Sequence, residues 1–191
     1  MTSLSSSGPE PDADLVPAPP SPADMRQAMG SFASGVTVVT GLGEEPMGFA
    51  CQSFASVSLE PPLILFCADH RGRAWPGIRE TGRFTVNVLA EEQTELCQRF
   101  GSSKGRKFEG LDWHRSRWGT PSLPQALVRV HCDVETVHVA GDHDVVIGRV
   151  LELELDPTYH RPMIFYRGRF GLDESASTVA PYLWGWGDHW G

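Results

Sequence analysis

A chain of 191 residues holds one domain with its own core and is short for two. Its 40% hydrophobic and 21% charged residues are an ordinary globular mix, and a net charge of -8 repels phosphate backbones, which argues against general nucleic-acid binding. No apolar run approaches the roughly 20 residues of a membrane span, and no basic segment followed by an apolar core opens the chain. Cys51, Cys67, Cys97 and Cys132 are widely spaced without a CxxC pair, so the expectation is a cytoplasmic protein with reduced, mostly buried thiols.

Residues 1–22 are rich in Ser, Pro, Ala, Gly and Asp and bury too little to offset ordering entropy, so a disordered arm is expected there. A domain over 23–173 follows, opening with a short helix over 24–29 that Asp24 caps and whose Met25 and Met29 are expected on the core, with a partner-binding helix as the alternative. Strands are read at 36–40, which is β-branched, at 63–67 after Pro61-Pro62, and at 84–88. A helix is read over 91–100, with Leu96 and Phe100 at helical spacing. Residues 128–139 alternate: Val128, Val130, Cys132 and Val134 are expected to face the core, and Arg129, His131, Asp133 and Glu135 the water. Residues 151–155 alternate likewise, 140–144 read as a turn, and 163–166 as a final strand broken at Gly168. Residues 174–191 form an aromatic tail, with Tyr182, Trp184, Trp186 and Trp190 packing on their own barrel or on a second subunit. Close-spaced strands favour an antiparallel sheet curled into a barrel. The absence of βαβ spacing and of Gly-x-Gly-x-x-Gly disfavours a Rossmann site.

Four segments carry candidate chemistry. Gly48-Phe49-Ala50-Cys51-Gln52-Ser53-Phe54-Ala55-Ser56-Val57-Ser58 reads as a loop whose small side chains let a flat ligand approach the backbone, although polar loops are common without a ligand. Ser102, Lys107 and Phe108 belong to a glycine-containing basic loop that suits a phosphate or simply faces water. Arg71 and Arg73 stand just past a strand end, where they suit a diphosphate or an exposed turn. His143 lies between Asp142 and Asp144, carboxylates that favour a protonated ring able to meet a nicotinamide, or it is a plain surface histidine. His138 and His143 lack a third ligand at convincing spacing, so no metal is expected, and no nucleophile with its base stands out.

Five motifs in chain order resemble the flavin reductase family: Phe32-Ala33-Ser34-Gly35-Val36-Thr37-Val38-Val39-Thr40, the stretch from Gly48 to Ser58 with Pro61-Pro62, Lys107-Phe108, Gly141-Asp142-His143 with Gly148-Arg149-Val150, and Pro162 to Gly171. The resemblance covers about residues 25–172. It implies a mainly β, split β-barrel fold with a few short helices, working as a homodimer. It implies hydride transfer from NADH (or NADPH) to FAD (or FMN), and delivery of reduced flavin to a partner two-component monooxygenase in aromatic degradation or antibiotic biosynthesis. Carried over residue by residue, Phe49, Ala50, Cys51, Gln52, Ser53, Phe54, Ala68, Arg73, Ser102, Lys107 and Phe108 are expected around the flavin. Gly35, His143, Arg167 and Phe170 are expected around the nicotinamide, with His143 as the catalytic residue. Ala50-Cys51-Gln52 departs from the family's Thr-Ala-Asn or Thr-Ala-Ser, and Phe170 stands where Tyr is common. A non-catalytic flavin- or haem-binding split barrel, or a relative of pyridoxine-phosphate oxidase, is the competing reading.

Overall fold

The computed structural model describes residues 18–158 and 161–170. The expected aromatic tail, and the expected arm up to residue 17, lie outside these. In chain order the elements are α1 (Pro22–Met29), β1 (Ser34–Gly35), β2 (Thr37–Leu42), β3 (Pro46–Cys51), β4 (Ala55–Leu59), β5 (Pro62–Asp69), α2 (Ala74–Thr81), β6 (Arg83–Val88), α3 (Thr94–Gly101), β7 (His114–Arg115), β8 (Pro121–Ser122), β9 (Val128–Ala140), β10 (His143–Leu155), β11 (Ile164–Tyr166) and β12 (Arg169–Phe170). Strands dominate and the helices are short, as expected of a split barrel.

The main sheet is antiparallel, in the order β3-β2-β6-β9-β10-β5-β4. It curls until β3 approaches β5, where Ser53 Oγ accepts the backbone N–H of Cys67 at 2.7 Å. Inside the curl, Phe66, Phe84, Val86, Cys132 and Val146 pack with Trp75 and Ile78 of α2. A second core, with Val36, Val38, Leu89, Phe100, Leu123 and Met163, lies on the other face of β2 beneath α3. Both faces of β2 are therefore dry, which is why its sequence is β-branched almost throughout rather than alternating. Gly148 sits in the first core at a register shift of the β9–β10 pair, and a Cβ there would come within 2.5 Å of the Phe84 ring. That motif glycine serves packing.

Several expectations need correction. Ser21, not Asp24, caps α1: its hydroxyl accepts the Asp24 N–H while the Asp24 carboxylate accepts the Ser21 N–H, a capping box. The first helix does not bury Met25 and Met29, which are exposed, because α1 has no buried residue. The stretch 48–58 is not one loop; it is the end of β3, a three-residue turn, and β4, since pairing with β2 and β5 outweighs the low strand propensity of its small residues. The second helix, α2, was not expected. The third begins at Thr94, not at residue 91. His131 is fully buried rather than wet, because the segment carrying Ser116, Thr120 and Leu123 covers that side of β9. Its Nδ1 meets Thr85 Oγ1 at 2.9 Å and its Nε2 meets Glu154 at 3.0 Å. All four cysteines are free, and Cys51, Cys97 and Cys132 are buried. No described helix is long and apolar enough to cross a membrane.

Candidate active site

The β9–β10 hairpin turns through Gly141 and Asp142, with Gly141 at φ 65, where a side chain would be strained. His143 is thus the first residue of β10 and not part of the turn, and it faces Asp69 across the β5–β10 pair. Its Nδ1 lies 2.7 Å from the Asp142 carboxylate. The His143 contact holds the Asp142 carboxyl below its ordinary range, so it stays ionised and only accepts, and Nδ1 is the donor in this contact. Nε2 has no protein partner among the described residues. Asp144, expected to flank His143, turns the other way. It accepts from Trp75 Nε1 at 2.8 Å, from His70 at 3.0 Å and from Arg79 at 3.4 Å, tying β10 to α2.

His143 lines a cavity of ≈ 650 Å³ together with residues 49–53, Cys67, Gln98, Ser102 and Phe170. The structure therefore brings the Gln52 turn, the His143 strand end and the closing β11–β12 hairpin to one space, although Gln52 and His143 stand 91 positions apart in the chain. Cys51 forms part of this wall as a neutral thiol, because burial pushes its pKa up. Ser53 commits its hydroxyl to the Cys67 backbone.

A second, larger cleft of ≈ 1010 Å³ shares Phe49, Ala50, Asp69, Gly101 and Ser102 with the first. Ala68, Arg73, Lys107 and Phe108 line it. Arg73 precedes α2 and donates to the Ser103 carbonyl. Half-buried Lys107 donates to the Phe100 carbonyl at 2.6 Å, at the C-terminal end of α3 where a cation is favoured. Burial, and then the positive charge of Arg73, lower the Lys107 pKa. Two cations thus share this part of the cleft with no bonded carboxylate between them, as an anion site requires. Arg71 is not available in the same way: it is paired with Asp69 at 2.6 Å, and that pairing holds the Asp69 carboxyl well below the usual range.

Residues 29–171 match the family described as Flavin reductase like domain. The chain belongs to that family. Within this flavin reductase group it is 46% identical over 163 residues to the flavin-dependent monooxygenase reductase subunit HsaB of Rhodococcus jostii, a match covering 84% of this chain and 83% of the relative. Among solved structures it is similar to nitrilotriacetate monooxygenase component B from Mycobacterium thermoresistibile, with a TM-score of 0.76 and 43% identity, covering 83% of this chain and 90% of that one. It is also similar to the NADH:FAD oxidoreductase SgcE6 of Streptomyces globisporus in complex with NAD and FAD fragments, with a TM-score of 0.73 and 32% identity, covering 84% and 94%.

Three residues expected at the site of this flavin reductase domain line neither space. Phe54 packs on the first core. Gly35 pairs with Ile164 in the β1–β11 ladder. Arg167, at φ 48 in the β11–β12 turn, donates its backbone N–H to Gly30 and lays its guanidinium over Tyr166. Sequence reasoning missed Asp69, Gln98 and Trp113, which do line the spaces. Register places Asp69 opposite His143, and no local motif announces that pairing. His131, Glu152 and Glu154 bring one ligand-type atom each within 4.8 Å of one another, but Thr85, Arg117, Trp118 and Arg129 already bond them.

Proposed function

We propose that this chain is an NAD(P)H-dependent flavin reductase that hands reduced flavin to a partner flavin-dependent monooxygenase. The observation that carries the reading is the single cavity walled by Gln52, His143 and Phe170, next to a cleft with a cation pair that no carboxylate bonds among the described residues. When bound, flavin supplies a two-electron acceptor and a dihydronicotinamide the hydride.

The residues present fit such a ligand. Ala50 and Gly101 at the junction of the two spaces leave backbone accessible to a flat ring. Lys107 and Arg73 neutralise the flavin phosphate, with Ser102 beside them. Residues 49–53 hold the ring edge, Gln52 standing in for the missing Thr hydroxyl. Phe170 stacks on the nicotinamide. Asp142 fixes the His143 ring through Nδ1 and leaves Nε2 to contact the nicotinamide carboxamide or hold a proton at the reacting centre. Holding two reactants in line supplies up to roughly 7–11 kcal/mol of barrier reduction, and no covalent intermediate is needed.

FAD is the proposed flavin over FMN, and NADH the proposed donor over NADPH. The relatives named NADH-dependent flavin reductase and FMN reductase (NADH) SmoA support NADH as the donor, and the one named Actinorhodin polyketide dimerase supports a role in antibiotic biosynthesis. The working state is a homodimer. Met29, Phe32, Leu59, Val139 and Leu155 are exposed on the single chain, apolar side chains of the kind a second copy would cover. Anaerobic mixing of the protein with NADH and excess FAD is expected to bleach the flavin over many turnovers. Stoichiometric binding without nicotinamide oxidation would point to a carrier instead.

A further inference from the structure

Among the described residues, Asp69 is the sole carboxylate lining the inner cavity, and no lysine or arginine lines it. Asp69 is the last residue of β5 and stands opposite His143, the first of β10. Opposed residues of an antiparallel pair put their side chains on one face, with Cβ atoms about 4.5–5.5 Å apart. Arg71 bonds the carboxylate: Nη2 donates at 2.6 Å, Nε at 3.1 Å and 3.2 Å, and the backbone N–H at 2.8 Å. That bonding keeps Asp69 ionised. Arg71 lines the outer cleft and not the inner cavity, and its side chain is 79% exposed against 32% for Asp69. The ion pair is therefore oriented, with its negative end on the cavity and its positive end toward water. Any positive charge on the His143 ring already has its counter-charge in Asp142, at 2.7 Å. Hydride transfer creates a new charge in this space. A C–H bond of the dihydronicotinamide breaks, and its hydrogen and both electrons pass to the flavin ring to form an N–H bond. The nicotinamide gains one positive charge and the flavin one negative charge.

We propose that Asp69 is a further catalytic residue, whose carboxylate meets the nicotinamide ring and stabilises the positive charge that hydride loss creates on it. A negative charge fixed in place before the reaction favours the transition state and the oxidised product over the neutral donor, and needs no reorganisation when the charge appears. Arg71 is the counterweight: it holds the carboxylate in position and, from the solvent side, limits its field. The inference rests on the flavin reductase reading, with the nicotinamide beside His143, and deepens it by naming the acid that faces the reacting ring.

The test compares two ligands that share a dinucleotide and differ in ring charge. Protein saturated with FAD is titrated by calorimetry with NAD⁺ and with tetrahydro-NAD, whose ring is uncharged and gives up no hydride. In Asp69→Asn the affinity for NAD⁺ relative to the analogue is expected to fall on the order of tenfold, the effect of one partly screened charge a few ångströms away. The single-turnover rate of anaerobic flavin reduction by NADH is expected to fall too, by a smaller factor, because the transition state carries part of the charge. Arg71→Gln removes the counter-charge and leaves the carboxylate, so the same affinity ratio is expected to rise. The opposite signs separate charge from structure, since a pair that only props the end of β5 would move both variants the same way. An unchanged ratio in Asp69→Asn, an unchanged rate of hydride transfer, or a ratio that falls in both variants overturns the proposal. A wild-type chain that oxidises no NADH fails the reductase reading itself, before any variant is compared.

Discussion

Lys107→Met separates the anion site from the ring site. Methionine keeps most of the unbranched stem that fills the space between α3 and the loop after it, and removes the charge. In the free protein the substitution deletes one hydrogen bond, Nζ to the Phe100 carbonyl at 2.6 Å, worth about 1 kcal/mol net. It also relieves the burial and the Arg73 repulsion that lower the lysine's pKa, so the two changes oppose each other. A shift in Tm of no more than about 4 °C is expected for a domain of this size. Binding should respond differently. Truncating one partner of a desolvated charge pair costs about 2–5 kcal/mol; half-buried Lys107, with Arg73 still in place, belongs at the low end, near 2 kcal/mol. That is about a 30-fold rise in the KM for FMN or FAD. Riboflavin has the same ring and no phosphate, and its KM should not move. The assay is anaerobic steady-state turnover with riboflavin, FMN and FAD, alongside a thermal melt. Equal losses for riboflavin and FMN, or no loss for any flavin, would refute the phosphate assignment of the cation pair.

Three further outcomes follow from the same geometry. His143→Ala is expected to raise the nicotinamide KM at least several-fold more than the flavin KM; an effect confined to flavin binding would remove its nicotinamide role. Asp144→Ala strands the buried Trp75 N–H and should cost about 3 kcal/mol or more, seen as a drop in Tm of roughly 6–12 °C, and an unchanged melt would mean the network is dispensable. His131 has its pKa lowered, chiefly by burial, so below the ordinary value of 6.5 the unfolded chain binds more protons than the folded one. Stability from this group is complete above that value and is lost as pH falls through the depressed folded value. Tm should decline on acidification from about pH 7 to about pH 5, and less so in His131→Asn; identical profiles would contradict the assignment.

Much of the barrel is legible in the sequence because its strands are apolar runs bounded by turn residues, as in Leu63 to Cys67 of β5, where Ile64 and Phe66 are buried. The reading fails where a tertiary neighbour changes the rule. His131 sits on a face that alternation marks as wet, and only the distant segment around Thr120 dries it. Helix α2 contains Pro76 and Gly77, which together read as a break. Pro76 falls in the first turn, where no intrahelical N–H is needed, and Gly77 is there because a Cβ would come within 2.5 Å of Met47 Sδ. At the site, residues that belong to one loop were legible together, as Gln52 and Ser53 were. Asp69 and Trp113 were not, because only strand register and the row of the Phe100, Phe108 and Trp113 rings beside α3 bring them to the cleft. Arg167 shows the opposite case: a charge near the right motif whose guanidinium lies over Tyr166.

The central claim is that one cavity receives both the flavin ring and the nicotinamide. A crystal structure of the protein soaked with FAD and NAD⁺ tests it most directly. The account predicts the isoalloxazine against residues 49–53, with the nicotinamide between it and Phe170 and within reach of His143. A ring system bound away from Gln52, or a nicotinamide on a surface that His143 does not touch, would contradict it.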